Sequence, residues 1–447
     1  MGEIEVTPAR EAAFTALLAC EKQGAWSDQA IKNASKRMKL TSRDAALAAN
    51  LCYGVVQNQL LLDAWIDRFS SIPAQKLERE VRIGLRMGLY QLHFLDRVPA
   101  SAAVNESVNL TRRHVRSRGA AGLVNAVLRA FQRSNPEKRL PECADRLEQL
   151  SLRYSHPLTL TRLLADNLGA DVEPLLAADN RPAELTIQVN TRKTTAEKLT
   201  EALRAEGISV EPHPWLPDCL YLKGSGDLER LQAFQSGLFY VQDAAARMAV
   251  LAAQPQPGQK VLDACAAPGG KSFASAIAMD GRGEIISCDI QEKKLTRIEK
   301  SAARMGLDCI RTQPADGRKF NPEWENYFDV VLADVPCSGL GIIRKKPDIR
   351  YKNLKQTENL PAIQLDILRN VARYVKPDGV LLYSTCTVLE RENQAVVNAF
   401  LAENPSFRLE PSQLPGPVDG SRGFVTLWPH IHGTDGFFFA KLRRSHE

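Results

Sequence analysis

The stretch VLDACAAPGGK, residues 261–271, decides the fold of the C-terminal part of this 447-residue chain. An apolar strand-like segment leads into a turn of small residues with two glycines, and the helical segment SFASAIAM follows. A turn of this kind between a strand and a helix lets backbone N–H groups approach a ligand closely. The stretch therefore predicts the first strand, turn and helix of a nucleotide-binding α/β sheet.

Further strand-like segments alternate with helical segments after this stretch. EIISCD begins at residue 284, DVVLAD at 329 and GVLLYS at 379. Strands at this rhythm indicate a parallel, doubly wound sheet. We therefore expect an α/β, Rossmann-like domain over residues 239–447.

The N-terminal part is helical in character. Apolar residues recur at helical spacing, as at Val81, Leu85 and Leu89, and Thr7 before Pro8 is typical of a helix start. A turn-rich stretch, SNPEKRLPE at 134–142, ends this part. We expect an all-helical domain over residues 1–140.

Short mixed elements follow the turn-rich stretch. Residues 185–189 and 219–222 are predicted strands, and residues 195–207 form a predicted helix between them. This pattern is typical of a small α+β domain, which we place at residues 141–238 and to which we assign a positioning role.

Composition indicates a soluble, globular protein. Apolar residues make up 44% and charged residues 25% of the chain, the mean hydropathy is -0.25, and no run approaches 18 apolar residues. The N-terminus MGEIEVTPAR lacks the basic flank and apolar core of a secretory signal. We therefore expect a cytoplasmic protein without membrane association.

Positive charge is concentrated at the N-terminal end. The net charge is +6, but residues 1–140 hold 21 basic and 13 acidic residues, or +8, which leaves -2 for the remainder. A nucleic-acid-binding domain explains this asymmetry, and plain solubility charge explains it equally well. Basic residues at a helix junction and in a later loop are candidate phosphate contacts. The alternative is that they form ordinary solvated surfaces. These residues are Arg112, Arg113, Arg116, Arg344, Lys345, Lys346 and Arg350.

Carboxylates stand at successive strand ends. Asp289 ends the second strand, 26 residues after Asp263, where an acid accepts hydrogen bonds from ribose hydroxyls. Asp316 follows a third strand and Asp334 ends the fourth. Each alone is more often a cap or turn residue, but together they predict a nucleoside cofactor. The expected cofactor-binding residues are Cys265, Ala266, Ala267, Pro268, Gly269, Gly270, Lys271, Asp289, Asp316 and Asp334.

The nine cysteines form an odd set without any CxxC pair, which argues against disulfides and zinc. Cys337 and Cys386 differ from the rest because each follows a sheet strand into a loop at the expected cofactor edge. His430 and His432 lie near Asp435 but have no further ligand cluster, so we expect no metal.

Two thiols and an acid at one sheet edge fit methylation at C5 of a pyrimidine. That carbon becomes nucleophilic only after a thiolate adds to C6 while an acid, here Asp334, contacts N3. A base must then remove the C5 proton before the thiol leaves. The target base must be unpaired or flipped out of a structured RNA. Spacing alone does not decide whether Cys337 or Cys386 is the nucleophile.

The N-terminal segments AVNESVNLTRRH at 103–114 and GLVNAVLRAF at 122–131 resemble the antitermination factor NusB. The resemblance implies an all-helical RNA-binding fold over about the first 135 residues.

The segments DACAAPGGK at 263–271, DVPCSG at 334–339 and STCT at 384–387 resemble three motifs of the RNA cytosine-C5 methyltransferases. With the NusB-like part they resemble the bacterial 16S rRNA enzymes of the RsmB/Sun/Fmu family. This resemblance implies a class I methyltransferase domain that uses S-adenosyl-L-methionine. It also implies that Cys386 is the nucleophile and that Cys337 assists product release.

Three other functions are alternatives to this interpretation. The same chemistry on tRNA or 23S rRNA is the nearest alternative, and a non-catalytic RNA-binding or antitermination adaptor would leave the two cysteines without a purpose. A deaminase requires a second cysteine after Pro336-Cys337 that the chain lacks. We expect a monomer, because an RNA enzyme with its own binding domain needs no second subunit.

Overall fold

The computed structural model describes residues 6–117, 119–135, 140 and 142–446. Residues 136–139 and 141 of the predicted linker lie outside the described residues. Two compact units form: residues 1–180 with 345–352, and residues 181–344 with 353–447. This grouping separates the chain at 180/181, so the three-domain division at 140/141 and 238/239 stays a prediction. Among the described residues, no helix has the length and apolar character needed to span a membrane.

The first unit is helical throughout its described part. Its helices are α1 (Pro8–Gln23), α2 (Ser27–Arg37), α3 (Ser42–Gln57), α4 (Gln59–Phe69), α5 (Arg79–Phe94), α6 (Ala100–His114), α7 (Ala120–Arg133), α8 (Arg146–Tyr154), α9 (Leu158–Leu168) and α10 (Val172–Asp179). The predicted helical N-terminal region is confirmed.

Sequence patterns explain where these helices begin and which face they bury. Thr7 is the N-cap of α1 and Pro8 its first residue, as predicted. The apolar stripe of α5 is buried at Val81, Leu85 and Leu89, within one core shared by α1 to α7.

Residues 345–352 belong to this first unit although they lie far along the chain. They form a short 3₁₀ turn, Pro347–Tyr351, whose Asp348 accepts hydrogen bonds from the backbone N–H and the hydroxyl of Ser27. The hydroxyl of Tyr351 donates to the carbonyl of Val56.

The second unit begins with a small antiparallel sheet. Its strands are β1 (Leu185–Val189), β2 (Ser209–Pro212), β3 (Cys219–Lys223) and β4 (Phe239–Val241), in the order β2-β3-β1-β4. The helices α11 (Ala196–Ala205) and α12 (Gln232–Gln235) accompany it. The predicted α+β region is confirmed, while β2 and β4 were not predicted.

An eight-stranded sheet forms the rest of this unit. Its strands are β5 (Lys260–Asp263), β6 (Glu284–Asp289), β7 (Ile310–Pro314), β8 (Phe328–Asp334), β9 (Val375–Thr385), β10 (Phe407–Leu409), β11 (Phe424–Leu427) and β12 (Phe437–Arg444). Its helices are α13 (Ala244–Ala253), α14 (Gly270–Ala278), α15 (Glu292–Met305), α16 (Leu360–Ala372), α17 (Gln394–Glu403) and α18 (Pro429–His432).

The order of this sheet is β10-β12-β9-β8-β5-β6-β7, with β11 paired to β12. Strands β5 to β9 are parallel, which confirms the predicted α/β domain, whereas β10, β11 and β12 are antiparallel additions that the sequence reading missed. The chain order reverses at β5, between β6 and β8. Ligands of open α/β sheets bind at the carboxyl ends of strands where the order reverses.

Candidate active site

The turn after β5 places its backbone at this reversal point. The N–H of Ala266 donates to the carbonyl of Cys288 at 2.6 Å, and the N–H of Gly269 donates to the carbonyl of Ala266 at 2.6 Å. Gly269 has a φ of 108°, and a Cβ there would lie 2.5 Å from the Phe273 ring. Only glycine fits this position, and α14 begins at the next residue. The predicted loop from Cys265 to Lys271 therefore forms a tight strand-to-helix turn.

A buried chain of hydrogen bonds connects the turn to β5 and β6. The hydroxyl of Ser287 donates to Ser272 Oγ, and the Ser272 hydroxyl donates to Asp263 Oδ2, each over 2.7 Å. All three residues are fully buried. Burial raises the pKa of Asp263 to about 6, against an ordinary value of 3.8. Its Oδ1 atom is buried and has no hydrogen-bond partner among the described residues.

Asp289 and Asp316 lie at the ends of the two strands beyond the turn. Asp289 ends β6, and its Oδ1 atom accepts a hydrogen bond from the N–H of Gln291 at 2.8 Å. Asp316 follows β7 and forms two hydrogen bonds with the Arg318 guanidinium, which hold the pKa of this carboxyl below its usual range. Asp316 also lines a cavity of about 300 Å³ together with Cys288.

Asp334 ends β8 and is held by two side chains. Its Oδ2 atom lies 2.6 Å from Lys271 Nζ, and its Oδ1 atom accepts a hydrogen bond from the Ser384 hydroxyl at 2.8 Å. Lys271 was predicted with the cofactor loop, but its buried side chain is directed to Asp334. Asp334 and Ser384 are register partners in the parallel pair β8 and β9, which explains their contact.

The two predicted catalytic thiols meet. Cys337 Sγ lies 3.2 Å from Cys386 Sγ, and both residues are partly exposed. The hydrogen bond to Cys386, burial and the nearby carboxylates of Glu392 and Asp334 raise the pKa of the Cys337 thiol well above its ordinary value. All nine cysteines are free thiols.

Loop contacts hold the thiols in place. The N–H of Gly341 donates to the carbonyl of Cys386 at 3.0 Å, and the hydroxyls of Ser338 and Thr387 lie 2.8 Å apart. A Cβ on Gly341 would lie 1.8 Å from the carbonyl oxygen of Gly436, so this approach requires glycine. The loops that carry the two cysteines are thus joined by hydrogen bonds.

Sequence reasoning missed several residues around the thiols. Ser384, Gln364 and Glu392 are buried and form hydrogen bonds at the site. Ser384 lies within the STCT motif, and its position at a strand end could have singled it out. Gln364 and Glu392 carry no recognisable pattern, because a polar residue on a helix or turn is ordinarily solvated.

The predicted RNA contacts at the end of α6 lie on the surface of the first unit. Arg112, Arg113 and Arg116 are exposed. Arg113 also lies 3.6 Å from Glu11 Oε2. These positions are compatible with phosphate contacts, which remain a prediction.

The predicted RNA contacts after the Cys337 loop differ in how exposed their side chains are. Lys346 is exposed, Lys345 is half-buried, and the Arg344 side chain is 11% exposed and lies 3.7 Å from Asp435 Oδ1.

The prediction of a phosphate contact is wrong for Arg350. This residue is 1% exposed, and its guanidinium donates to the carbonyls of Gln57, Tyr154 and Ser155 and to Asn180 Oδ1 within the first unit. A guanidinium enclosed in this way has no surface left for a phosphate. A charge pattern in a sequence does not reveal which cation a fold will bury.

The doubly wound sheet, its glycine turn and the acidic strand ends define a methyltransferase-type domain. Three family models match the chain: "16S rRNA methyltransferase RsmB/F" over residues 250–443, "NusB family" over 7–133, and "Methyltr_RsmF/B-like, ferredoxin-like domain" over 156–229.

Curated relatives extend this match over the whole chain. A probable ribosomal RNA small subunit methyltransferase B of Bacillus subtilis is 36% identical and covers 98% of this chain and 99% of its own length. Ribosomal RNA small subunit methyltransferase B of Vibrio cholerae is 32% identical, with 98% of each chain covered. The chain therefore belongs to the ribosomal RNA small subunit methyltransferase B family and is a 16S rRNA methyltransferase. The predicted family and enzyme class, an rRNA (cytosine-C5) methyltransferase, are confirmed.

Solved structures agree with this fold. The crystal structure of PH0851 superposes with a TM-score of 0.80 at 27% identity and covers 99% of this chain and 100% of its own. A methyltransferase homolog protein from Pyrococcus horikoshii, at 24% identity and a TM-score of 0.58, covers 68% of this chain and 100% of its own.

Proposed function

We propose that this enzyme transfers a methyl group from S-adenosyl-L-methionine to C5 of a cytosine in 16S rRNA, with Cys386 as nucleophile. The observation that carries the proposal is the pair of sulfur atoms 3.2 Å apart, beside an acid, Asp334, that is held by Lys271 and Ser384. This arrangement has one group for each step of a covalent C5 methylation.

The residues at the sheet edge fit the cofactor. Gly269 allows the tight turn at the start of α14, and the cavity of about 300 Å³ beside Asp316 accommodates a nucleoside. We assign Asp289 to the ribose hydroxyls, Asp316 to the adenine, and the 265–271 turn with Asp334 to the rest of the cofactor. When bound, S-adenosyl-L-methionine supplies an electrophilic methyl group on sulfur.

The resemblance to the RNA cytosine-C5 methyltransferases supports Cys386 as the nucleophile, because this thiol lies in the STCT segment at 384–387. In this proposal Cys386 Sγ adds to C6 of the cytosine. Cys337 Sγ lies 3.2 Å from that sulfur, close enough to act on the same adduct.

Asp334 and Lys271 act at the N3 edge of the base. Addition of a thiolate to C6 builds negative charge on the ring, and a proton donor at N3 stabilises that charge. Asp334 contacts N3 as the acid, and Lys271 Nζ, 2.6 Å away, and the Ser384 hydroxyl orient its carboxyl group. C5 then bonds to the methyl carbon as the bond between that carbon and the sulfonium sulfur breaks, and the donor would leave as a neutral thioether.

Product release restores the aromatic ring. A base removes the proton from C5, the electrons of that C–H bond form the C5–C6 double bond, and the bond between Cys386 Sγ and C6 breaks to return a thiolate. Cys337, next to that sulfur, assists this step.

The proposal also includes contacts between basic side chains and RNA phosphates. The residues are Arg112, Arg113, Arg116, Arg344, Lys345 and Lys346. A monomeric, cytoplasmic enzyme remains a prediction.

Two cysteine variants test the assignment. We expect Cys386→Ala to abolish both methylation and the covalent complex with RNA, and Cys337→Ala to accumulate that complex on a denaturing gel. The reverse pattern would make Cys337 the nucleophile. Incubation of the enzyme and labelled cofactor with 16S rRNA, 23S rRNA and tRNA transcripts tests which RNA is methylated. Labelling confined to tRNA or 23S rRNA would refute the proposal that the target cytosine lies in 16S rRNA.

A further inference from the structure

Glu392 lies at full burial beside the loop that carries Cys337. It ends the short 3₁₀ turn Glu390–Glu392 after β9, and its side chain is 0% exposed. Its Oε2 atom accepts a hydrogen bond from the backbone N–H of Ser338 at 2.9 Å and another from Gln364 Nε2 at 3.0 Å.

Gln364 completes a clamp around Cys337. This residue of α16 is also fully buried, and its Nε2 atom donates to the carbonyl of Pro336 at 3.0 Å. The Pro336 carbonyl belongs to the peptide before Cys337, and the Ser338 N–H belongs to the peptide after it. Both peptide groups that flank the thiol are therefore held by one carboxylate and one amide.

The clamp contains buried acceptor atoms that lower the stability of the fold. Glu392 Oε1 and Gln364 Oε1 are buried and have no hydrogen-bond partner among the described residues. A buried carboxylate with an unsatisfied oxygen lowers stability, and apolar side chains would fill the same space without that loss. The hydrogen bonds kept at this cost are those to the two peptides that flank Cys337.

We propose that Glu392 is a positioning residue for product release, and that it acts through Gln364 and the two peptides flanking Cys337. This inference rests on the proposed function, in which Cys337 assists release of Cys386 from the product. Without the carboxylate the Cys337 loop loses its fixed backbone, and release slows while addition to C6 and methyl transfer proceed.

Covalent-complex accumulation tests this proposal, because a protein that has merely lost its fold forms no complex. For Glu392→Ala we expect kcat to fall about tenfold or more, the cofactor KM to change less than about twofold, and the trapped fraction during turnover to rise several-fold. Glu392→Gln keeps an acceptor for the Ser338 N–H and should recover part of kcat. Glu358→Gln removes an exposed acid of the same unit and should leave kcat, the cofactor KM and the trapped fraction unchanged.

Gln364→Ala provides a second test of the clamp, since it removes the bond to Pro336 but leaves Glu392 in place. It should also raise the trapped fraction. Cys337→Ala is measured in parallel. If Cys337→Ala accumulates the complex and neither Glu392→Ala nor Gln364→Ala does, the positioning role is overturned. If Cys337→Ala itself fails to accumulate the complex, the proposed function is refuted instead.

Discussion

Lys271 Nζ lies 2.6 Å from Asp334 Oδ2, across the point where the strand order of the sheet reverses. Lys271 comes from the turn after β5, and Asp334 ends β8, the neighbouring strand. The pair joins the turn assigned to the cofactor with the loop that carries Cys337. In the proposed function, this pair therefore links cofactor binding with base recognition.

Removing Lys271 should impair the chemical step more than cofactor binding. We expect Lys271→Met to lower kcat by about 100-fold or more, since the Asp334 carboxyl group at N3 loses one of the two side chains that orient it, while the cofactor Kd changes only a few-fold. Isothermal titration and single-turnover methylation separate the two quantities. Lys355→Met, on an exposed residue of the same unit, is the control. A large rise in the cofactor Kd with kcat unchanged at saturating cofactor would assign Lys271 to the cofactor alone.

Asp316→Asn should weaken cofactor binding selectively. The carboxylate lines the cavity beside β7 and is oriented by Arg318, so its loss should raise the cofactor KM by about tenfold with little change in the RNA KM. Initial rates at varied cofactor and RNA concentrations give both values. Asp308→Asn, an exposed acid, should have no effect. A shift confined to the RNA KM would contradict the cavity assignment.

Asp263 should make stability depend on pH between about 4 and 6. Its pKa is about 6 in the folded protein against 3.8 ordinarily, so its contribution is present below pH 3.8 and is lost as the pH rises through 6. The loss amounts to about 3 kcal/mol of unfolding free energy at most. Denaturant unfolding across this range should show a flatter profile for Asp263→Asn, whose amide oxygen still accepts from Ser272. Equal slopes for the two proteins would count against the raised pKa.

Arg350→Met should destabilise the first unit without a specific loss of RNA affinity. The change leaves several buried carbonyls without their donor, which we expect to cost about 2–4 kcal/mol. Lys346→Ala, on an exposed neighbour, should instead leave stability within about 0.5 kcal/mol of wild type. Thermal unfolding and hydrogen exchange over residues 6–117 measure the difference. A stable Arg350→Met protein with weakened RNA binding would restore the phosphate role.

The double variant Arg112→Ala, Arg116→Ala tests the surface at the end of α6. If both side chains contact phosphates, RNA affinity should fall and the slope of log affinity against log salt should decrease by about 1 to 2. Fluorescence anisotropy at several salt concentrations gives the slope. Because both residues are exposed, stability should not change. An unchanged slope would leave these arginines as ordinary surface charge.

Much of the architecture could be predicted because it depends on local patterns. The parallel strands β5, β6, β8 and β9 were expected from apolar runs, and β1 matches residue for residue. The antiparallel strands at the C-terminal end were missed. Their identity depends on pairing with β9 across the sheet, and strand pairing between distant segments leaves little trace in local sequence.

For the candidate site, the residues to which the proposal assigns the chemistry could be predicted from the sequence alone. Each of these residues lies at the end of a predicted strand or in the loop after it: the glycine turn, the aspartates and the two cysteines. Because the carboxyl ends of parallel strands meet at one edge of the sheet, these residues were expected to lie near one another. Only the tertiary structure decided the partners: that Lys271 pairs with Asp334, that Glu392 and Gln364 clamp the peptides around Cys337, and that Arg350 is buried. The physical reason is that a motif specifies residue types along one segment, whereas hydrogen bonds and burial depend on which distant segments the fold brings within a few ångströms.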